Sequence, residues 1–266
     1  MRLTRRIVNA IMMLIKGITL RRTKAVLLVA GISCFIACKS HHTELFDAIQ
    51  RKDSGSVRSL LDRWPASIDS RDHLGLSPLH VAARVGDGEI VDLLLARGAK
   101  VDVQDPVGDT PLFSAVVAGN INVVEILVEH KADINHKSWH GLSPLDRAVR
   151  FDQTDIVEFL LKNGADINIL DEGGSPPLLT AAVTCDPEIF KILFRYGADI
   201  KAKDELGASV LHYCAANECA RCIELLISNG ADVNARNNAG ETPLKWAIRD
   251  KNSEAEEIIR QHGGTL

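Results

Sequence analysis

Catalytic equipment is what this chain of 266 residues most plainly lacks. It has no nucleophile elbow, no phosphate-cradling glycine loop, no zinc-binding His-Glu motif and no EF-hand loop, the local patterns that mark acyl-transfer, phosphoryl-transfer and metal sites. No enzyme activity, cofactor or metal is expected. A membrane-spanning apolar run is missing as well: residues 25–38 supply 14 residues, where a transmembrane helix needs about 20. A clustered basic footprint is the third absence. Seven of the 31 Lys and Arg (Arg2, Arg5, Arg6, Lys16, Arg21, Arg22 and Lys24) lie in residues 1–38, which contain no Asp or Glu. The other 24 face 35 acidic residues, a net of −11 against −4 for the whole chain. An acidic surface repels phosphate backbones, so nucleic acid is not an expected partner.

What the chain does have is a period. Gly75, Gly108, Gly141, Gly174, Gly207 and Gly240 follow one another every 33 residues without insertion or deletion. A period of this length belongs to stacked supersecondary units, none of which can bury its apolar face alone. The expected fold is an all-α repeat solenoid whose function lies on an extended surface. Two residues after the glycines come Ser77-Pro78-Leu79-His80, Thr110-Pro111-Leu112-Phe113, Ser143-Pro144-Leu145-Asp146, Pro176-Pro177-Leu178-Leu179, Ser209-Val210-Leu211-His212 and Thr242-Pro243-Leu244-Lys245. Most are helix starts: a hydroxyl can accept first-turn amides, and Pro at the first helical position has no amide to satisfy. A small residue recurs seven positions after the glycine (Ala82, Ala115, Ala148, Ala181, Cys214, Ala247), room for a second helix to pack closely. That helix is visible in residues 89–96, 122–128, 155–161, 188–194 and 221–227, whose apolar residues fall at helical spacing, as in Ile90, Val91, Leu94 and Leu95. Each run stops at Gly98, Lys131, Gly164, Gly197 or Gly230, where glycine takes the left-handed turn without steric cost and Lys131 is a costlier stop.

These residues resemble the ankyrin repeat. Gly75-Leu76-Ser77-Pro78-Leu79-His80-Val81-Ala82-Ala83 matches the family's helix-start motif, and Gly230-Ala231-Asp232-Val233-Asn234 matches its turn motif. The resemblance implies two antiparallel helices and a β-hairpin-like loop per repeat, six repeats over residues 72–266 with the last a C-terminal cap, and a degenerate N-terminal cap repeat over residues 39–71. It also implies that His80 and His212 bond to neighbouring loop backbone. Asp133, Asp166, Asp199 and Asp232, with Asn135, Asn168 and Asn234 two residues on, recur as turn formers and not as catalytic groups.

Residues 1–38 follow another chemistry. A basic stretch followed by a short apolar run reads as an export signal, and Phe35-Ile36-Ala37-Cys38 resembles the lipobox of bacterial lipoproteins, with Phe35 where that family usually has Leu. The resemblance implies lipidation at Cys38 and a membrane-anchored protein facing the periplasm of a bacterial envelope. Cleavage near Ala37 and an uncleaved anchor are the alternatives, and a start at Met12 or Met13 would give a signal of more usual length. Of the other cysteines, Cys219 and Cys222 form a C-x-x-C, and Cys185 and Cys214 accompany them. Cys214 and Cys222 occupy core columns of the repeat, so buried small hydrophobes, a disulfide among the four and a metal site are all open.

In the ankyrin family the loop tips and the exposed side of the first helix line a concave groove that binds another protein. The positions carried over are Leu74, Leu76 and Arg84 in the first repeat, Val107 in the second, and Trp139, His140, Leu142, Arg150 and Phe151 in the third. The corresponding positions of the later repeats, among them Glu172, Val183, Glu205, Leu206 and Asn238, are expected to be polar or acidic as a group. Trp139 beside Leu142, Arg150 and Phe151 has the composition of a binding hot spot; the alternative is that it lies back on its own repeat and covers neighbouring backbone. The expectation is a protein binder, monomeric when unbound. It would act as an envelope scaffold, as an immunity protein that masks a toxic enzyme, or as a cytosolic scaffold carrying an N-terminal extension.

Overall fold

The computed structural model describes residue 41, residues 43–217 and residues 219–266. The export-like segment and Cys38 lie outside these residues. Helices α1 (residues 43–50) and α2 (Ser54–Arg63) form the first pair. The pairs that follow are α3 (Pro78–Val85) with α4 (Gly88–Ala96), α5 (Pro111–Val117) with α6 (Ile121–Glu129), and α7 (Pro144–Arg150) with α8 (Thr154–Lys162). Then come α9 (Pro177–Thr184) with α10 (Pro187–Arg195), α11 (Val210–Ala216) with α12 (Ala220–Ser228), and α13 (Pro243–Arg249) with α14 (Ser253–Gln261). Each second helix from α4 to α12 begins one residue before its apolar pattern. First helices pack on first helices and second on second, which makes two layers.

One continuous core runs between the layers. Its backbone is two columns: the Leu of every helix start (Leu79, Leu112, Leu145, Leu178, Leu211, Leu244) and the small residue three positions on, from Ala82 to Cys214 and Ala247, all buried. Ser77, Ser143 and Thr242 accept the third amide of their helices, while Thr110 caps nothing. The α1–α2 pair seals one end with Phe46, Ile49, Val57 and Leu61. At the other end α14 buries Ala255 and Ile259 and turns its charged residues outward.

The glycine period has a steric cause. All six glycines are left-handed, with φ between 70° and 81°, and a Cβ on Gly141 or Gly207 would come within 2.9 Å of the next repeat's backbone nitrogen, at Glu172 or Asn238. Lys131 takes the same left-handed form at its helix end, φ 67°, and carries a side chain there. The turn formers do more than close their own turns. Asn135 Oδ1 accepts the Asp166 amide at 2.8 Å, Asn168 Oδ1 that of Asp199 at 3.2 Å and Asn234 Oδ1 that of Thr265 at 2.7 Å, so each links its repeat to the following one.

Candidate binding edge of the array

The loop tips are built by one side chain per repeat. Asp72, Asp105, Asp171, Asp204 or Asn237 stands three residues before the glycine, and its Oδ1 accepts two tip amides. Asp105, for example, takes those of Val107 and Asp109, both at 2.9 Å; Asp204 takes those of Leu206 and Ala208, both at 2.9 Å. The third repeat has Ser138 here, and its shorter side chain carries no such bracket. Its tip is a 3-10 turn over Trp139–Gly141, with His140 left-handed at φ 64°. The indole of Trp139 lies flat on the His140 imidazole, centroids 4.9 Å apart at 11°, and remains 61% exposed. Hydrogen bonds hold the turn from both sides: the Trp139 amide donates to Val107 O at 3.2 Å, and the Glu172 amide to His140 O at 3.0 Å. Glu172 Oε2 is also 3.3 Å from His140 Nδ1, an ion pair when the imidazole is protonated. The serine in an Asp/Asn column was the available sequence signal for this turn.

A family model of three ankyrin repeats matches residues 20–105, 79–171 and 178–264, and a model of many ankyrin repeats matches residues 151–194. The chain belongs to the ankyrin-repeat family. Among solved structures it is similar to the ankyrin repeat domain of Bcl-3, described as a unique member of the IkappaB protein family, with a TM-score of 0.72 and 26% identity over 82% of this chain and 97% of that one. No curated protein matches it. An ankyrin array of this kind is suited to protein binding and points away from catalysis, although a fold does not choose a partner.

The ankyrin frame sorts the remaining candidates. Leu74 and Val107 are exposed tips, and Arg84 and Arg150 are exposed at the ends of α3 and α7. Phe151 follows α7, also exposed, and Trp139 stacks on His140 rather than on it. Leu76 and Leu142 are only partly open, and Leu76 packs against the core, because the residue after the glycine turns inward to start the helix. The expected division into apolar and polar tips also needs correction. Leu206, a fifth-repeat tip, and Val183, near the end of α9, are as exposed as the apolar residues of the first three repeats, so the apolar edge continues past Glu172.

His80 and His212 do reach the next ankyrin loop. Nδ1 of each accepts its own N-cap amide, from Ser77 at 3.3 Å or Ser209 at 3.1 Å, which leaves Nε2–H to donate to Asp109 O or Glu241 O, both at 3.0 Å. Burial lowers the pKa of both imidazoles and favours this neutral form. Asp146 holds the same position in the third repeat. Its Oδ2 accepts from the Ser143 amide at 2.9 Å and from the Ser143 hydroxyl at 2.7 Å. The shorter side chain makes no bond to the next loop, and Oδ1 is buried without a hydrogen-bond partner. Burial raises this carboxyl to about 6.

The C-x-x-C pair is not bonded to itself. Cys219 is paired with Cys185 of the preceding ankyrin repeat, Cα atoms 5.1 Å apart, and Cys214 and Cys222 are free, buried thiols. Burial raises both thiols, that of Cys222 to about 11. Among the described residues no group of three or more His, Cys, Asp or Glu is placed to hold a metal ion, and no helix is long and apolar enough to cross a membrane.

Proposed function

We propose that this ankyrin array is an exported, lipid-anchored protein of the bacterial envelope that holds another protein against its concave face, centred on Trp139. It acts by occupancy and not by chemistry. One observation carries the binding edge: a tryptophan 61% exposed on a turn held in place by both neighbouring repeats. A rigid aromatic of this kind offers large contact area at little entropic cost, and Trp and Arg dominate interface hot spots. Leu74 and Val107 extend the edge along the tips, and Arg150 and Phe151 extend it along α7. The envelope reading rests on the basic stretch and apolar run ending at Ala37-Cys38. A disulfide between Cys185 and Cys219 is in keeping with an oxidising compartment. The charged outer face of α14 supports an unbound monomer, since it discourages end-to-end stacking.

Affinity capture from envelope membranes, with the intact mass of the bait measured, tests both halves. Support is a bait that starts at a lipid-modified Cys38 and a captured protein that the Trp139→Ala variant releases. A soluble bait that keeps residues 1–38 would replace this reading with a cytosolic scaffold, and a variant that holds the partner undiminished would remove Trp139 from the site. Capture of an enzyme that the array silences at nanomolar affinity would narrow the role to immunity. Capture of a protein whose activity is untouched would narrow it to a scaffold.

A further inference from the structure

The end of each first helix meets the start of the next repeat's second helix at a fixed offset of 34 residues. A Cβ on Gly86 would collide with the Asn120 side chain, and one on Gly119 would lie 3.4 Å from Gln153 Nε2. The Asp152 carboxylate faces that of Asp186, and Cys185 bonds to Cys219 across a sequence separation of 34. The cysteine pair is therefore one member of a recurring contact set by the fold.

At two other junctions this contact is an asparagine tie. Asn120 Nδ2 donates to Ala83 O at 2.9 Å and Arg84 O at 3.0 Å. Asn252 Nδ2 donates to Ala215 O at 3.2 Å and Asn217 O at 2.9 Å. Cys219 occupies the asparagine's position and has no amide to offer. The carbonyl left over, that of Ala182, is taken by Asn217 Nδ2 at 2.9 Å, and Cys219 faces Cys185. Cys185 itself sits at φ 58°, in a left-handed column that holds Gly86 and Gly119 in the first two repeats, Asp152 in the third and Lys251 in the sixth. The Cα separation of 5.1 Å lies within the range a disulfide spans.

We propose that Cys185 and Cys219 form a redox-set staple that replaces the asparagine tie and locks the fifth and sixth repeats onto the fourth. Closing it removes one proton and one electron from each thiol as the Sγ–Sγ bond forms, and the two electrons reduce a small disulfide such as oxidised glutathione to two thiols. Cys185, the more exposed, forms the mixed disulfide, and the buried Cys219 displaces the glutathione thiol. Cys222, whose Sγ donates to Cys185 O at 3.2 Å, stays out of the exchange because burial keeps its thiol protonated. Each repeat of a solenoid touches only its neighbours, so opening this one junction loosens everything C-terminal to it. The staple does not depend on the binding reading, and its test does not involve the partner.

The test is hydrogen exchange on the full chain, equilibrated first with oxidised and then with reduced glutathione, alongside peptide mapping without reductant. Expected are a Cys185–Cys219 cross-linked peptide two hydrogens lighter than the free thiols, with Cys214 and Cys222 free. Reduction should speed amide exchange in α11 to α14 at least tenfold and leave α3 to α8 unchanged. The Cys185→Gly/Cys219→Asn double variant restores the Gly86–Asn120 pairing of the first junction, and its C-terminal helices should stay protected in reducing buffer. Free thiols at Cys185 and Cys219 after oxidation, a Cys219–Cys222 bond, or equal exchange of the unaltered chain in both buffers would overturn the proposal.

Discussion

The third and fifth repeats share one backbone plan, and each links to the following repeat through an asparagine, Asn168 or Asn234, yet they differ at the tip bracket and at two side-chain contacts with a neighbouring repeat. In the fifth, Asp204 brackets the tip, His212 reaches the following loop, and Cys219 bonds back to Cys185. In the third, Ser138 leaves the tip without its bracket, Asp146 stops short of the following loop, and Asp152 meets a second carboxylate at Asp186. Desolvation first, and then the facing Asp186 carboxylate, hold the Asp152 carboxyl above its usual range. The array thus pairs a cross-linked C-terminal block with a central seam of weaker ties, and the exposed tryptophan sits on that seam.

Breaking the staple should have the largest effect. Cys185→Ser releases the constraint on a loop of 34 residues, for which loop-closure entropy gives about 3–4 kcal/mol; a urea midpoint no lower than that of the parent in oxidising buffer would remove the contrast between the two repeats. Next is Asp146→Asn. The folded state holds this proton more tightly than an unfolded aspartate does, so its contribution is complete below about pH 4 and is lost as pH rises through about 6. At about 1.4 kcal/mol per pKa unit, up to about 3 kcal/mol of pH dependence belongs to this one carboxyl. His80 and His212 act in the opposite sense, since their lowered pKa values weaken the fold as pH drops below about 6.5. Urea midpoints should therefore decline steadily from pH 7 to pH 5 in the Asp146→Asn variant and hold more nearly level in the parent.

Trp139→Ala should leave unfolding unchanged and cost about 2 kcal/mol in partner affinity, about a thirtyfold weaker Kd by titration calorimetry. The smallest change is Asp152→Asn. Asparagine tolerates the left-handed backbone found there, φ 57°, and the variant should gain a few tenths of a kcal/mol by ending the repulsion at an exposed site. That gain should shrink in high salt, and a loss of stability instead would show that the central seam is not electrostatically weakened.

Much of this was readable in the chain. The glycine column, the Leu and small-residue columns and the helix starts recur because each answers to a local need, a left-handed turn, a buried face or a capped amide, and local needs repeat with the chain. The candidate edge was legible in part. Trp139, Leu74 and Val107 lie at tips by register alone, whereas Leu76, two residues beyond Leu74, packs against the core and Leu142 is only partly open. Leu206 and Val183 stand at these positions by register as well and were outweighed by their acidic neighbours, since composition averages over residues that the fold separates. Ser138 in a column of Asp and Asn was the overlooked sign that the third tip differs.

The partnership of the cysteines lay beyond sequence for a geometric reason. A ruler of 33 residues pairs each position with its own image one repeat on, but the end of a first helix packs against the start of the next second helix, one residue further. That offset places Cys219 beside Cys185 and Asp186 beside Asp152. The order of elements and the core follow from the sequence alone, because periodic burial and turn chemistry act along the chain. The junction contacts, the left-handed His140 beneath Trp139 and the unpartnered oxygen of Asp146 belong to the tertiary structure, because each depends on what the neighbouring repeat presents across the gap.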